Sequence, residues 1–475
     1  MITPRYRHHF HLLPPAGWLN DPNGSCWWGD RCHIFFQYAP DSPHGSGSKC
    51  WGHYTSRDLI RWDYEGIAVA PDSPYDCSGA YSGTAYTGSG SLELFYTGNV
   101  KHPGNYDYIN EGRGHNVLYL KSADGLSFSP KEVLLTNEDY PAAMSCHVRD
   151  PKVWQADGCC YLLLGARTRD SQAALLLYRS SDRKHWTLAR DIRPEAPFGY
   201  MLECPDYFSC GESEVLAFCP QGIPQGTEKF QNIYSSGYLI LPEGALTDAP
   251  SDTLNKCLLP DRFQEWDQGF DFYAPQTFSL PDGRRVLIGW AGVPDAPYDN
   301  LPAVAEGWQH SLTLLRELTV TPDRILQYPI RELEALRQAP VSCPLEKQTV
   351  LTPGFSFDLE LERRTALAQQ AFTLRFSSDL VLTFAEGMLS LRFLNNTGRG
   401  RTIRHGVCPQ VRELRILMDA SLLEIYVNRG ALVFTTRWYP ENARGVLLAS
   451  DGGFTGTLWP MADSIRCDAP LPHNG

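Results

Sequence analysis

No apolar run in the 475-residue sequence reaches the roughly 18 residues that a membrane-spanning helix needs, so no span is expected. The first residues, MITPRYRHHFHLLPPAGW, are basic and histidine-rich and lack the apolar core of a signal peptide, which points to a cytoplasmic protein. Positive charge is in short supply: 42 Lys and Arg stand against 54 Asp and Glu, a net charge of −12. A chain of that sign holds a phosphate backbone poorly, which argues against a nucleic-acid partner. CxxC pairs are also missing. The 14 cysteines are irregularly spaced, with Cys159 and Cys160 adjacent, giving neither a zinc-ligand pattern nor a disulfide framework. Several sit inside apolar runs, as in Cys32–His33–Ile34–Phe35, and read as reduced, mostly buried thiols. Long helical periodicities are scarce as well.

Aromatics and turn-formers, by contrast, are plentiful: 12 Trp, 23 Tyr, 40 Gly and 35 Pro. That mixture suits short strands joined by tight turns. Five apolar runs each follow a glycine-bearing turn: CHIFFQY, LELFYTG, CCYLLLGA, EVLAFCP and RVLIGWAG. The glycines at 29, 90, 158, 211 and 283 lie 61, 68, 53 and 72 residues apart. Three of the runs are followed by Ser-x-Asp-x-x-x-aromatic, at Ser56–Trp62, Ser122–Phe128 and Ser180–Trp186. A repeat of several strands at this period predicts a β-propeller, here with five blades and polar residues converging on the axis.

A short amphipathic helix is expected over Pro329–Arg337, with Pro329 at its first position and Ile330, Leu333 and Leu336 on one face. Residues 337–344 read as a linker. Beyond it, strict alternation at Phe355/Phe357/Leu359/Leu361, Phe372/Leu374/Phe376, Leu389/Leu391/Phe393 and Leu423/Ile425/Val427 predicts a β-sandwich. The chain is therefore expected to be all-β: a propeller over 1–330, a helix and linker over 331–344, and a sandwich over 345–475.

Three segments carry candidate chemistry. Asp21 lies in Trp18-Leu-Asn-Asp-Pro-Asn-Gly24, which by itself is an ordinary turn signal. Arg149 and Asp150 lie in His147-Val-Arg-Asp-Pro-Lys152, which alone reads as an exposed turn with a surface charge pair. Glu203 follows Tyr200-Met-Leu and precedes Cys204; an apolar setting can keep a carboxyl protonated, as a general acid requires. Cleaving a glycosidic bond needs two carboxyl groups, one ionised to attack and one protonated to donate. Asp21 and Glu203, from distant repeats, could meet on a propeller axis.

These residues carry a resemblance. Trp18–Gly24, Arg149–Pro151 and Glu203–Cys204 are similar to the three signature boxes of glycoside hydrolase family 32, the invertase and fructan hydrolase family. Phe36–Tyr38, Trp51–His53, Tyr81–Gly83, Asp271–Gln276, Gly289–Trp290 and Asp419–Asn428 extend the resemblance along nearly the whole chain. The resemblance implies a five-bladed propeller followed by a β-sandwich. It implies Asp21 as nucleophile, Glu203 as general acid and then base, and Asp150 as transition-state stabiliser. The route would be retaining, with the two carboxyl groups about 5–5.5 Å apart. Asn20, Gln37, Trp51, Tyr81, Ser82, Arg149, Tyr273 and Trp290 would bind the sugar; for Trp51 and Trp290 core packing is the competing reading. Tyr81 stands where the family usually has Phe, and Leu315 where it usually has Pro, the latter touching the domain junction.

The implied activity is that of a β-fructofuranosidase on sucrose or sucrose 6-phosphate. Exo-acting hydrolysis of fructo-oligosaccharides, inulin or levan is the alternative within the class, and a non-catalytic carbohydrate-binding propeller the alternative outside it. No cofactor or metal is expected, since carboxyl groups suffice for the chemistry and His8, His9 and His11 lack ligand spacing. The expected partner is a small sugar, with neither nucleic acid nor membrane.

Overall fold

The computed structural model describes residues 4–345, 349–352, 354–441 and 445–466. Cys467 and the ends of the expected first and last domains (1–3 and 467–475) lie outside the described residues. Among the described residues, no helix is long and apolar enough to cross a membrane.

Five antiparallel sheets form the propeller. Their innermost strands are Gly17–Trp28, Ala80–Tyr86, Met144–Ala156, Met201–Cys210 and Tyr273–Ser279. Each packs on the next, and the fifth packs on the first, which closes the ring. Parallel pairing of Gly17 and Trp18 with Trp308 and Gln309, from within the fifth blade's chain segment, seals it. The five repeat glycines sit in the turns between each innermost strand and its neighbour, all with positive φ (+62°, +83°, +76°, +60° and +85°). Glycine adopts that conformation without steric cost, which is why the repeat is visible in sequence. The Ser-x-Asp tails are three copies of one turn: Asp58, Asp124 and Asp182 each accept from the serine two residues before and from backbone N–H groups just after.

A second repeat runs through the innermost strands. Each carries one residue more than its partner strand at the same height: between Leu19 and Pro22, Ala80 and Gly83, Arg149 and Lys152, Glu203 and Asp206, and Tyr273 and Gln276. Four of these five bulges contain or adjoin a proline: Pro22, Pro151, Pro205 and Pro275. Proline has no N–H for a ladder and is accommodated where pairing is interrupted. Asp150, Cys204 and Ala274 are forced to φ of +63°, +46° and +46°, rare for residues with a Cβ. The bulges turn side chains toward the axis. Just past them, the Lys152–Asp206 ion pair (2.5 Å) ties the third blade to the fourth, and Gln276, donating to the Gly83 carbonyl (2.6 Å), joins the fifth blade to the second.

The sandwich consists of two six-stranded sheets. The alternating residues from Phe357 to Val427 form one continuous core, with Phe355 at its edge. Two details differ from expectation. The helix before the sandwich is a 3-10 helix, Arg331–Leu336, and Pro329 ends a propeller strand paired with Arg316. The spacing of Ile330, Leu333 and Leu336 is three, which matches the three residues per turn of that helix, and all three are buried. Within the expected linker, Val341 and Ser342 pair with Leu458 and Thr457 and belong to a sandwich sheet. Two residues are too short to show alternation.

The 13 described cysteines are free thiols, and most are buried.

Candidate active site

The five bulges open into one cavity of about 320 Å³ at the axis. Ten of the eleven sequence-predicted residues line it: Asn20, Asp21, Gln37, Tyr81, Ser82, Arg149, Asp150, Glu203, Tyr273 and Trp290. The exception is Trp51. Its side chain is fully buried among Phe35, Tyr96 and Leu94, and its indole N–H donates to the Tyr81 carbonyl (3.0 Å). Core packing is therefore the correct reading for Trp51, which supports the second blade's bulge from behind. Trp290 is buried too, but it faces the cavity beside Trp18 and Tyr273.

Asp21 is oriented by a chain of amides and hydroxyls. Trp18 Nε1 donates to Asn20 Oδ1 (2.9 Å), and Asn20 Nδ2 donates to Asp21 Oδ1 (3.1 Å) and Gln37 Oε1 (3.0 Å). Gln37 Nε2 donates to Ser82 Oγ (2.7 Å), whose hydroxyl donates to Asp21 Oδ2 (2.5 Å). Burial pushes the Asp21 carboxyl above the usual range, against the pull of Ser82 and Asn20.

Asp150 is held by its neighbours' backbone. Its N–H donates to Thr97 Oγ1 (2.8 Å), and its Oδ2 accepts from the Cys204 N–H (3.0 Å). Burial raises its carboxyl to about 7, with Arg149 opposing and Glu203 and Asp21 adding to the rise. The Cys204 sulfur lies 3.7 Å from Asp21 Oδ2 and 3.7 Å from Asp150 Oδ2, so two carboxyl groups from different blades flank one thiol.

Glu203 departs from expectation in its setting. It is not enclosed by apolar groups: the Arg149 guanidinium donates to Oε1, while Tyr273 OH and Gln221 Nε2 each donate to Oε2 at 2.7 Å. The strand's bulge turns Glu203 to the axis, and its apolar sequence neighbours Met201 and Leu202 point into the blade cores. Asp21, Asp150 and Glu203 thus share one cavity, in which Arg149 is ion-paired with the latter two.

Trp18, Lys49, Arg113, His147, Gln221, Pro294 and Asp295 also line the cavity and were not foreseen. The repeated proline bulge is the sequence signal that picks out the axis; Trp18 and His147 lie on the same innermost strands a few residues before it, and the rest arrive from loops and outer strands with no local signature.

Away from the axis, donor atoms of His8, His11 and Asp419 lie within 4.8 Å of one another. Both ring nitrogens of His11 are already engaged, Nδ1 with Asp419 (2.8 Å) and Nε2 with Glu424 (3.0 Å). That leaves fewer donors than the roughly four of a structural zinc site.

Carboxyl groups converging among aromatic rings, amides and hydroxyls define an enzyme that cleaves sugars. Comparison with known proteins agrees. The models for the N-terminal domain and the C terminal of glycosyl hydrolases family 32 match residues 11–329 and 332–463. The sucrose-6-phosphate hydrolase of Bacillus subtilis (strain 168) is 36% identical over 463 residues, covering 94% of this chain and 92% of its own. The structure of sucrose-6-phosphate hydrolase from Lactobacillus gasseri superimposes with a TM-score of 0.83 at 30% identity, over 97% of this chain and 94% of that one. A mutant of the Bombyx mori GH32 beta-fructofuranosidase, in complex with sucrose, matches with a TM-score of 0.80 at 28% identity, over 98% and 96% of the two chains. The chain belongs to glycosyl hydrolase family 32 and is a glycoside hydrolase.

Proposed function

We propose that the protein hydrolyses the terminal β-D-fructofuranoside of sucrose or sucrose 6-phosphate through a covalent fructosyl-enzyme intermediate. The observation that carries the reading is the meeting of Asp21, Asp150 and Glu203 in one sugar-sized cavity. Asp21 attacks the anomeric carbon of fructose. The bond to the glucosyl oxygen breaks with its electron pair on that oxygen, which takes a proton from Glu203. Glu203, now a carboxylate, removes a proton from water as that water attacks the same carbon. Fructose leaves and the Asp21 carboxylate is restored. Asp150 accepts hydrogen bonds from fructose hydroxyls, which strengthen as positive charge develops on the ring.

Burial raises the carboxyls of Asp21 and Asp150, so this cavity holds protons at a higher pH than free carboxylates do. Glu203, held by Arg149, Tyr273 and Gln221, is the group placed to pass a proton to the leaving oxygen.

The names of the similar proteins support both substrates. A phosphorylated disaccharide cannot cross a membrane unaided, which agrees with a cytoplasmic enzyme. The same reading takes residues 1–330 as the catalytic domain, 331–344 as the connection and 345–475 as an accessory sandwich. The test is a sucrose assay with separate detection of glucose and fructose. Release of both at equal rates is expected, and Asp21→Asn should abolish it. Near-wild-type turnover by Asp21→Asn or Glu203→Gln would overturn the assignment.

A further inference from the structure

In a chain with net charge −12, a partly buried cation without a carboxylate partner is unusual, because desolvation goes uncompensated. Two such cations line the cavity. Neither Lys49 nor Arg113 has an ion pair among the described residues, whereas Arg149 is paired with Glu203 and Asp150.

Their surroundings differ. Lys49 Nζ donates to the Gly45 carbonyl (2.8 Å) and lies 5.1 Å from the centre of the Trp18 ring, on the side of Asp21. Arg113 approaches only neutral groups. Its Nη1 is 3.5 Å from Asn99 Oδ1 and 3.4 Å from His115 Nε2, distances at the edge of hydrogen bonding, and its buried Nε has no partner. The guanidinium hydrogen-bonds to the Tyr81 side chain, and the charge of Arg149 acts against it. A run of side chains leads from Arg113 to Glu203. The His115 ring is 5.4 Å from the His147 ring, and His147 Nδ1 accepts from Arg149 Nη1 (2.6 Å), whose other terminal nitrogen holds Glu203. Arg113 is thus linked through His115 and His147 to the arginine that holds the acid, and it lines the same cavity.

We propose that the Arg113 guanidinium and the Tyr81 hydroxyl form the seat for a phosphate on the leaving sugar, which makes the enzyme selective for sucrose 6-phosphate over sucrose. The inference rests on the β-fructofuranosidase reading above. A guanidinium offers a phosphate two parallel N–H donors, and a hydroxyl beside it supplies a third. Arg113 lines the cavity with no carboxylate among the described residues to neutralise it, and that charge is what such a dianion would balance. Lys49, on the side of the nucleophile, would contact the fructosyl unit instead.

The experiment is the ratio of kcat/KM for sucrose 6-phosphate to that for sucrose, in wild type, Arg113→Gln, Arg113→Lys, Tyr81→Phe and Lys49→Gln. Wild type should favour the phosphorylated sugar. Arg113→Gln should lower the ratio on the order of 30- to 100-fold, mainly through KM, the effect of removing one charged partner of a hydrogen-bonded pair. Inhibition by glucose 6-phosphate should weaken in parallel. Tyr81→Phe should lower the ratio roughly 3- to 10-fold, the effect of one hydroxyl. Arg113→Lys keeps the charge but loses the fork; an intermediate ratio supports the seat, and this variant decides the matter if Arg113→Gln does not fold. An unchanged ratio in the Arg113 variants, or a loss of selectivity confined to Lys49→Gln, overturns the inference. Wild type that cleaves both sugars equally overturns the seat but leaves the β-fructofuranosidase reading standing; wild type that cleaves neither overturns that reading.

Discussion

Two buried charge clusters in this molecule are built on opposite principles. Where the propeller meets the sandwich, Asp267, Asp271, Asp419 and Glu424 each pair with Arg316, Arg401 or His11. Arg401 forks onto both oxygens of Asp271 at 2.7 Å each, and Arg316 joins Asp267 (3.1 Å) to Glu424 (2.9 Å). Asp419 collects the backbone N–H groups of His9, Phe10 and His11 besides the His11 ring. Glu424 is accordingly held down at about 2, chiefly by Arg316 against the effect of burial, while burial pushes Asp267 up, to about 6. At the axis, Arg149 alone is ion-paired, with Glu203 and Asp150, and burial raises Asp21 and Asp150. The balanced cluster fixes one structure. The unbalanced one stores a proton and an affinity for donors, which a sugar's hydroxyls can satisfy.

Substitution separates the two most sharply. Asp21→Asn and Glu203→Gln should each cut kcat about 10³-fold or more, as expected when a nucleophile or general acid is lost. Neither should lower Tm, because a neutral amide relieves the crowding of negative charge. Glu424→Gln should do the reverse. It leaves Arg316 and His11 without their shared anion, a loss of about 3–5 kcal/mol for breaking a buried pair. Turnover per folded molecule should persist. A Glu424→Gln enzyme that is stable but inactive would erase the distinction between the clusters.

The pH dependence of stability offers a finer test. Asp150 titrates at about 7 in the folded protein and at about 3.9 unfolded. The folded state then binds the extra proton, so stability is greatest at the acid end of that window and declines as pH rises through it. Asp419 and Glu424 have lowered folded values; their contribution is present above about pH 4.3 and lost as pH falls toward about 2. His11 is raised by its two carboxylates, although burial opposes them; its contribution is complete below about pH 6.5 and lost above it. Tm should therefore peak in mildly acidic buffer. Asp150→Asn should flatten the descent between about pH 4 and 7, and Glu424→Gln the acid limb. A Tm that climbs steadily from pH 4 to 7 in wild type, unaltered by Asp150→Asn, would contradict the charge balance assigned to the axis.

The two clusters also differ in how far the sequence disclosed them. Asp21, Asp150 and Glu203 stood out because each lies beside a proline or cysteine in a short, unusual run, and the glycine turns revealed the repeat that brings them together. The proline after Asp21, Asp150, Cys204 and Ala274 was the more direct sign of the axis, since it marks where each innermost strand breaks its ladder. Arg113 and Gln221 carry no local signature; contacts between strands and blades place them. Trp51 misled because an aromatic near a sugar-binding box is equally suited to a blade core. At the junction almost nothing was legible: His11, Glu424 and Arg316 are far apart in sequence, and their pairing depends on how two domains dock.

Cys204 supplies the smallest expected effect and the one most particular to the axis. Its backbone N–H, not its sulfur, makes the close contact with Asp150, and any residue at this position keeps that bond. The thiol adds a weak donor 3.7 Å from both aspartates, too long and too soft to fix either by itself. What it contributes is bulk and polarisability between two carboxyl groups that would otherwise share water. Cys204→Ala keeps a Cβ at the strained φ and opens a small space there. It should lower kcat/KM by roughly 3- to 10-fold, the range of one weak hydrogen bond, and leave Tm within a few degrees of wild type. A pH–rate profile should shift with it, because water admitted between Asp21 and Asp150 eases the burial that raises both. A slower Cys204→Ala enzyme with an unmoved profile would mean that the sulfur acts on packing alone, and that the proton-holding character of the axis comes from the aspartates and their backbone.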